Sequence, residues 1–108
     1  MTDRTTALER LLAAGQDSPV LRLSLGLAHL ESDPGLAATH LRAALAQDPA
    51  YTAAWKQLGK ALTACGDTAG AANAYERGIA AAEKRGDVQA TKEMRVFLKR
   101  LTGARPSA

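Results

Sequence analysis

The residues able to do chemistry in this 108-residue chain are few and scattered. His29 and His40 are its two imidazoles and Cys65 its one thiol. The histidines fall on successive predicted helices with no cysteine nearby. A zinc site needs three or four converging ligands, so no metal is expected. Cys65 ends a predicted helix with no motif around it, which predicts a buried structural thiol. Most carboxylates stand at predicted helix starts, where capping accounts for them. No glycine-rich phosphate loop follows a strand, because no strand is predicted. No catalytic set emerges, no cofactor is implied, and the expectation is a protein that is not an enzyme.

Charge and leucine remain as candidate functional features. Residues 84–108 carry seven Lys or Arg against two carboxylates, while residues 1–83 carry seven against nine. Lys92, Arg95 and Lys99 recur along one predicted helix. Such a basic end suits an acidic partner or nucleic acid, and it equally suits a solvated helix end complementing its dipole.

The elements that position these groups are helical. Ala and Leu dominate the apolar residues and favour helix. The aromatics are Trp55, Tyr51, Tyr75 and Phe97. A first helix over 5–14 carries Leu8, Leu11 and Leu12 on one stripe and stops at Gly15. Asp17-Ser18-Pro19 starts a second, which ends near Glu31. Asp33-Pro34 starts a third, reaching Gln47, and Asp48-Pro49 closes it. A fourth runs from Tyr51 to Cys65, Gly66-Asp67 is stop and cap, and a fifth spans Thr68 to Arg85. Gly86-Asp87 precedes a sixth over 88–101, with Ala90, Met94, Phe97, Leu98 and Leu101 on one face. Residues 102–108 are expected to fray. Short links make consecutive helices antiparallel neighbours. The prediction is one all-α domain over 1–108.

Within it the sequence repeats. Gly26 and Gly59 are 33 residues apart, and Ala37 and Ala71 are 34 apart. Trp55, Leu58 and Gly59, followed by Ala71 and Tyr75, resemble the tetratricopeptide repeat, W-x₂-L-G-x₂-Y then A-x₃-F then P. Leu62 replaces the first tyrosine, Tyr75 the phenylalanine, and Glu83 the closing proline. An earlier copy matches at Leu25, Gly26, Ala37, Leu41 and Pro49, with Arg22 for the tryptophan and His29 for the tyrosine. The resemblance implies two hairpins, over 19–51 and 52–85, closed by capping helices over 5–14 and 88–101. It implies a small stand-alone bacterial protein of this type. Gly26 and Gly59 fit a close crossing of two helices, with Trp55 and Tyr75 filling the gaps between hairpins and Trp55 largely buried.

In that family the first helix of each hairpin lines a concave surface and binds other proteins. The side of helix four away from Trp55, Leu58 and Leu62 carries Ala53, Lys56, Gln57, Lys60, Thr63 and Ala64. The matching side of helix two carries Val20, Leu23, Ser24, Leu27, Leu30 and Glu31. One is basic and polar, the other apolar. The expected partner site is therefore Leu23, Leu27, Leu30, Lys56 and Lys60. It suits a protein or peptide segment with apolar anchors and acidic residues, or a second copy making a homodimer. Leu23 and Leu27 stand where a clamp for a terminal carboxylate would need polar groups, which argues against such a clamp. The competing reading is nucleic-acid binding by Lys92, Arg95 and Lys99, which lacks an aromatic platform for unpaired bases. No stretch approaches the roughly 20 apolar residues of a membrane span. The first 20 residues lack the uninterrupted apolar run of a signal peptide. With one cysteine and no internal disulfide, a cytoplasmic location is expected.

Overall fold

The computed structural model describes residues 3–103. Six α-helices and no strand are present among them: α1 (Arg4–Ala13), α2 (Pro19–His29), α3 (Pro34–Gln47), α4 (Thr52–Ala64), α5 (Thr68–Arg85) and α6 (Val88–Gly103). Helix boundaries fall within about two residues of those read from the sequence. Thr102 and Gly103, expected to fray, are still helical; the rest of the expected tail, residues 104–108, lies outside the described residues.

Capping sets the starts. Asp3, Ser18, Asp33, Asp67 and Asp87 each accept a hydrogen bond from a backbone N–H three residues on, at 2.8 to 3.2 Å. Each satisfies one of the donors that a helix N-terminus leaves free. Helix α4 starts at Tyr51 without such a bond. Gly66 and Gly86 stop α4 and α5 with φ of 80° and 72°, a conformation that a Cβ disfavours.

The helices stack in chain order. α2 packs on α3, α3 on α4, α4 on α5 and α5 on α6, and α1 lies against α2. The result is elongated, 51 × 29 × 20 Å. One core runs through both hairpins, built on Leu41, Ala44, Ala54, Leu58, Ala61, Ala71, Tyr75, Ala82 and Met94. Alanine is abundant there because the helices cross closely. A Cβ built at Gly26 meets the Leu41 side chain, and one at Gly59 meets the Tyr75 ring. Leu41 and Tyr75 occupy matching places in the two hairpins, so the repeat seen in sequence is a repeat of contacts. No helix among the described residues is long and apolar enough to cross a membrane.

Three expectations need correction or refinement. Cys65 is exposed, not buried. It is the C-cap residue of α4, so its side chain leaves the helix past the last buried turn. Trp55 is only half-buried; its indole Nε1 donates to the Pro49 carbonyl at 2.8 Å, and Arg77 lies 5.8 Å from the ring centre. Leu11 was placed on the inward stripe of α1, yet it is 42% exposed, whereas Leu8 and Leu12 are half-buried. The inward face of α1 is narrow because it has one neighbour, α2.

Candidate functional site

Helices α2, α4 and α6 lie side by side, with direct contacts between α2 and α4 and between α4 and α6. They form one face of the stack. On α2, Leu27 is 48% and Val20 64% exposed, while Leu23 and Leu30 are half-buried against the core. Helix α1 therefore does not cover Leu27. On α4, Lys56 donates from Nζ to Glu93 Oε1 at 3.1 Å across to α6. Lys60 Nζ sits 5.0 Å over the Phe97 ring, which also lies 5.8 Å from the Arg100 guanidinium and stacks on Tyr75 at 5.7 Å. Gln57 Oε1, beside Lys56 in sequence, is buried with no hydrogen-bond partner among the described residues.

The five expected residues thus divide. Leu27 presents an open apolar surface, and Leu23 and Leu30 pack beneath it. Lys56 is spent on an internal ion pair, and Lys60 is held over an aromatic ring. Glu93, Phe97 and Arg100 were missed as parts of this face. The sequence offered a signal, since the apolar stripe of α6 includes Phe97, but it read as core alone. Lys56 and Glu93 also bound a cleft of about 230 Å³ with Thr52, Ala53, Gln89 and Ala90. Glu93 is held below the usual carboxylate range, first by its hydrogen bond from Lys56 and then by that from Gln89. It therefore stays ionised at neutral pH and keeps Lys56 paired.

The basic residues of α6 also separate. Lys92, Arg95 and Lys99 are exposed. Arg95 is tied to Glu83 at 2.6 Å. Phe97, the aromatic of this helix, stacks on Tyr75 and lies against Lys60 and Arg100.

The histidines meet across α2 and α3. His29 and His40 stack at 5.8 Å between ring centres. Arg22 Nη1 lies 3.1 Å from His40 Nδ1. Arginine can only donate, so Nδ1 is the acceptor and the ring proton sits on Nε2. Arg22 also grips both oxygens of Asp17 at 2.9 Å, and Gln47 donates to Asp17 at 2.8 Å. These bonds, that from Arg22 foremost, pull the Asp17 carboxyl down to about 2. Burial, then the Arg22 charge, pushes His40 below the usual histidine range. No cluster of three or more His, Cys, Asp or Glu suited to a metal is present among the described residues. The network ties the α1–α2 link to α2 and α3.

Comparisons with known proteins agree with this architecture. A tetratricopeptide-repeat family model matches residues 28–94. The chain is 52% identical over 99 residues to the TPR repeat-containing protein PA0015 of Pseudomonas aeruginosa, covering 91% of this chain and 94% of that one. Its fold is similar to the solution structure of protein BPP2914 from Bordetella parapertussis, with a TM-score of 0.84 and 50% identity over 96% of this chain and 91% of the other. A tetratricopeptide repeat domain protein from Salinibacter ruber shares the fold at a TM-score of 0.75 and 24% identity, over 83% of this chain and 92% of that one. Repeats of this kind generally serve as non-catalytic modules for protein–protein interaction. The chain belongs to the tetratricopeptide-repeat family.

Proposed function

We propose that this protein is a non-catalytic adaptor, binding a segment of a partner protein across the face formed by α2, α4 and α6. The observation that carries the reading is the contrast along that face. Leu27 and Val20 stand open on α2, while Lys60 and Arg100 flank Phe97 on the far side. An exposed apolar stripe on a helix invites cover. A helical or extended segment fits, its apolar anchors on Leu23, Leu27 and Leu30 and its acidic end toward Lys60. Lys56 contributes by exchange, since an incoming carboxylate competes with Glu93 for it. A single exposed thiol and no disulfide suit a reducing cytoplasm.

Selection from a random peptide-display library tests this. The expected winners place leucine or phenylalanine next to aspartate or glutamate, and their binding is lost on Leu27→Glu. Winners that bind the Leu27→Glu protein unchanged would contradict the reading. Self-association at micromolar concentration that Leu27→Glu abolishes would replace the peptide with a second copy. Tight, salt-sensitive binding of short RNA or DNA, weakened by changing Lys92, Arg95 and Lys99 to Gln, would favour the nucleic-acid alternative.

A further inference from the structure

Between α3 and α5, on the side of α4 away from Lys56 and Lys60, lies a second cleft of about 400 Å³. Its floor is apolar, made by Leu45, Leu58 and Leu62 together with the half-buried Trp55. Its rim carries two guanidinium groups, Arg42 from α3 and Arg77 from α5, both exposed. Neither has a carboxylate partner among the described residues, and no acidic side chain lines the cleft. The Trp55 N–H is already satisfied by Pro49, so the indole offers an apolar surface and asks for no hydrogen bond.

The same place one hairpin earlier is built differently. Arg22 stands there instead of Trp55, and both oxygens of Asp17 neutralise it. The cleft at the junction leaves Arg42 and Arg77 without a carboxylate among the described residues, with Arg77 5.8 Å from the centre of the half-buried indole. An apolar floor between unpaired cations complements an apolar group flanked by negative charge. The cleft's rim residues Arg42, Ala46, Asn73 and Arg77 are all exposed, whereas a small molecule is generally held by burying most of its surface. An open groove instead suits one side chain delivered by a polypeptide.

We propose that the cleft between α3 and α5 is a second docking site, for an acidic segment of a partner protein that lays one apolar side chain on Trp55 between Arg42 and Arg77. The site is separate from the α2–α4–α6 face, and the two together would let one molecule hold two segments at once.

Trp55 is the sole tryptophan of the chain, so its fluorescence reports occupancy directly. The probe is a capped hexapeptide with leucine and phenylalanine between two pairs of acidic residues; the control replaces the acids with lysines. The acidic peptide is expected to shift the indole emission saturably, and the lysine peptide is not. Arg42→Gln with Arg77→Gln should weaken the acidic peptide roughly five- to tenfold, since exposed charge pairs are individually modest. Ala46→Phe, an exposed position lining the cleft, should abolish the shift, while Leu27→Glu and Lys60→Gln should leave it unchanged. Amide shifts of Ala46 and Asn73 in the unmodified protein give the same answer without any variant. A shift of the Trp55 emission that depends on Leu27 and Lys60 but not on Arg42 and Arg77 would overturn the second site. No saturable shift of Trp55, Ala46 or Asn73 at millimolar peptide would also overturn it.

Discussion

The two hairpins solve one packing problem with different side chains. In the first, Gly26 admits Leu41; in the second, Gly59 admits the Tyr75 ring. The first puts Arg22 at the hairpin junction and binds it to Asp17 and His40. The second puts Trp55 there and caps it from Pro49. On the open face the first shows leucine and the second lysine. The backbone plan is thus fixed by the small residues, which set how closely helices cross. The larger residues at the junctions and on the open face are free to differ, and there the two hairpins acquire different chemistry.

The largest expected effect separates the two aromatics of the second hairpin. Tyr75 is 2% exposed, and Tyr75→Ala should cost about 3–5 kcal/mol, as large-to-small core changes do. Trp55→Ala should cost clearly less, because half-burial leaves less apolar area to lose. Urea denaturation of both variants checks the order. Equal losses would mean that Trp55 is core, as its motif position suggested.

Next come the glycines. Alanine gains about 1 kcal/mol of helix propensity over glycine, so a neutral result already implies a clash. Gly59→Ala drives a methyl into a rigid ring stacked on Phe97 and should lose roughly 1–3 kcal/mol through overpacking. Gly26→Ala meets Cγ and Cδ2 of the fully buried Leu41, acyclic carbons that yield a little more readily than a ring, and should lose somewhat less. Denaturation midpoints that reverse this order would break the comparison between hairpins.

A smaller effect concerns the polar network of the first hairpin. His40 titrates lower in the folded protein than in the unfolded chain, whose value is about 6.5. Below that pH the unfolded state binds more protons, so stability is complete above about pH 6.5 and falls on acidification toward the folded value. His40→Gln should flatten this slope. Asp17, held at about 2 by Arg22 and Gln47, adds stability present above its unfolded value near 4 and lost toward pH 2. Asp17→Asn should remove that second, more acidic loss. Thermal melts from pH 7 to pH 3 distinguish the two windows.

The sequence made the helices legible because their ends are marked by Asp, Ser, Pro and Gly, and the hairpin order followed from short links. Gly26, Gly59, Ala37 and Ala71 announced the close crossings. Burial at helix ends was not legible, as Cys65 shows, because one residue past the last turn decides which way a side chain points. Lys56 read as a free cation because its partner Glu93 lies 37 residues away on another helix. The meeting of His29 with His40 was equally hidden, since stacking depends on the angle at which α2 and α3 cross. Helix α6 read as a cap, and its share of the open face needed the third dimension.

The central claim is that the open apolar stripe of α2, beside the cationic end of α4 and α6, is where a partner segment binds. Leu27 is exposed enough that Leu27→Glu should change stability by no more than about 0.5 kcal/mol. The direct test is a nuclear magnetic resonance titration of the isotopically labelled protein with a library-selected peptide, run on the native chain and on Leu27→Glu. The account predicts saturable shifts centred on Leu23, Leu27, Lys60 and Phe97 in the native protein, and none in the variant at equal concentration with its helices intact. Shifts confined to other surfaces, or unchanged by Leu27→Glu, would contradict it.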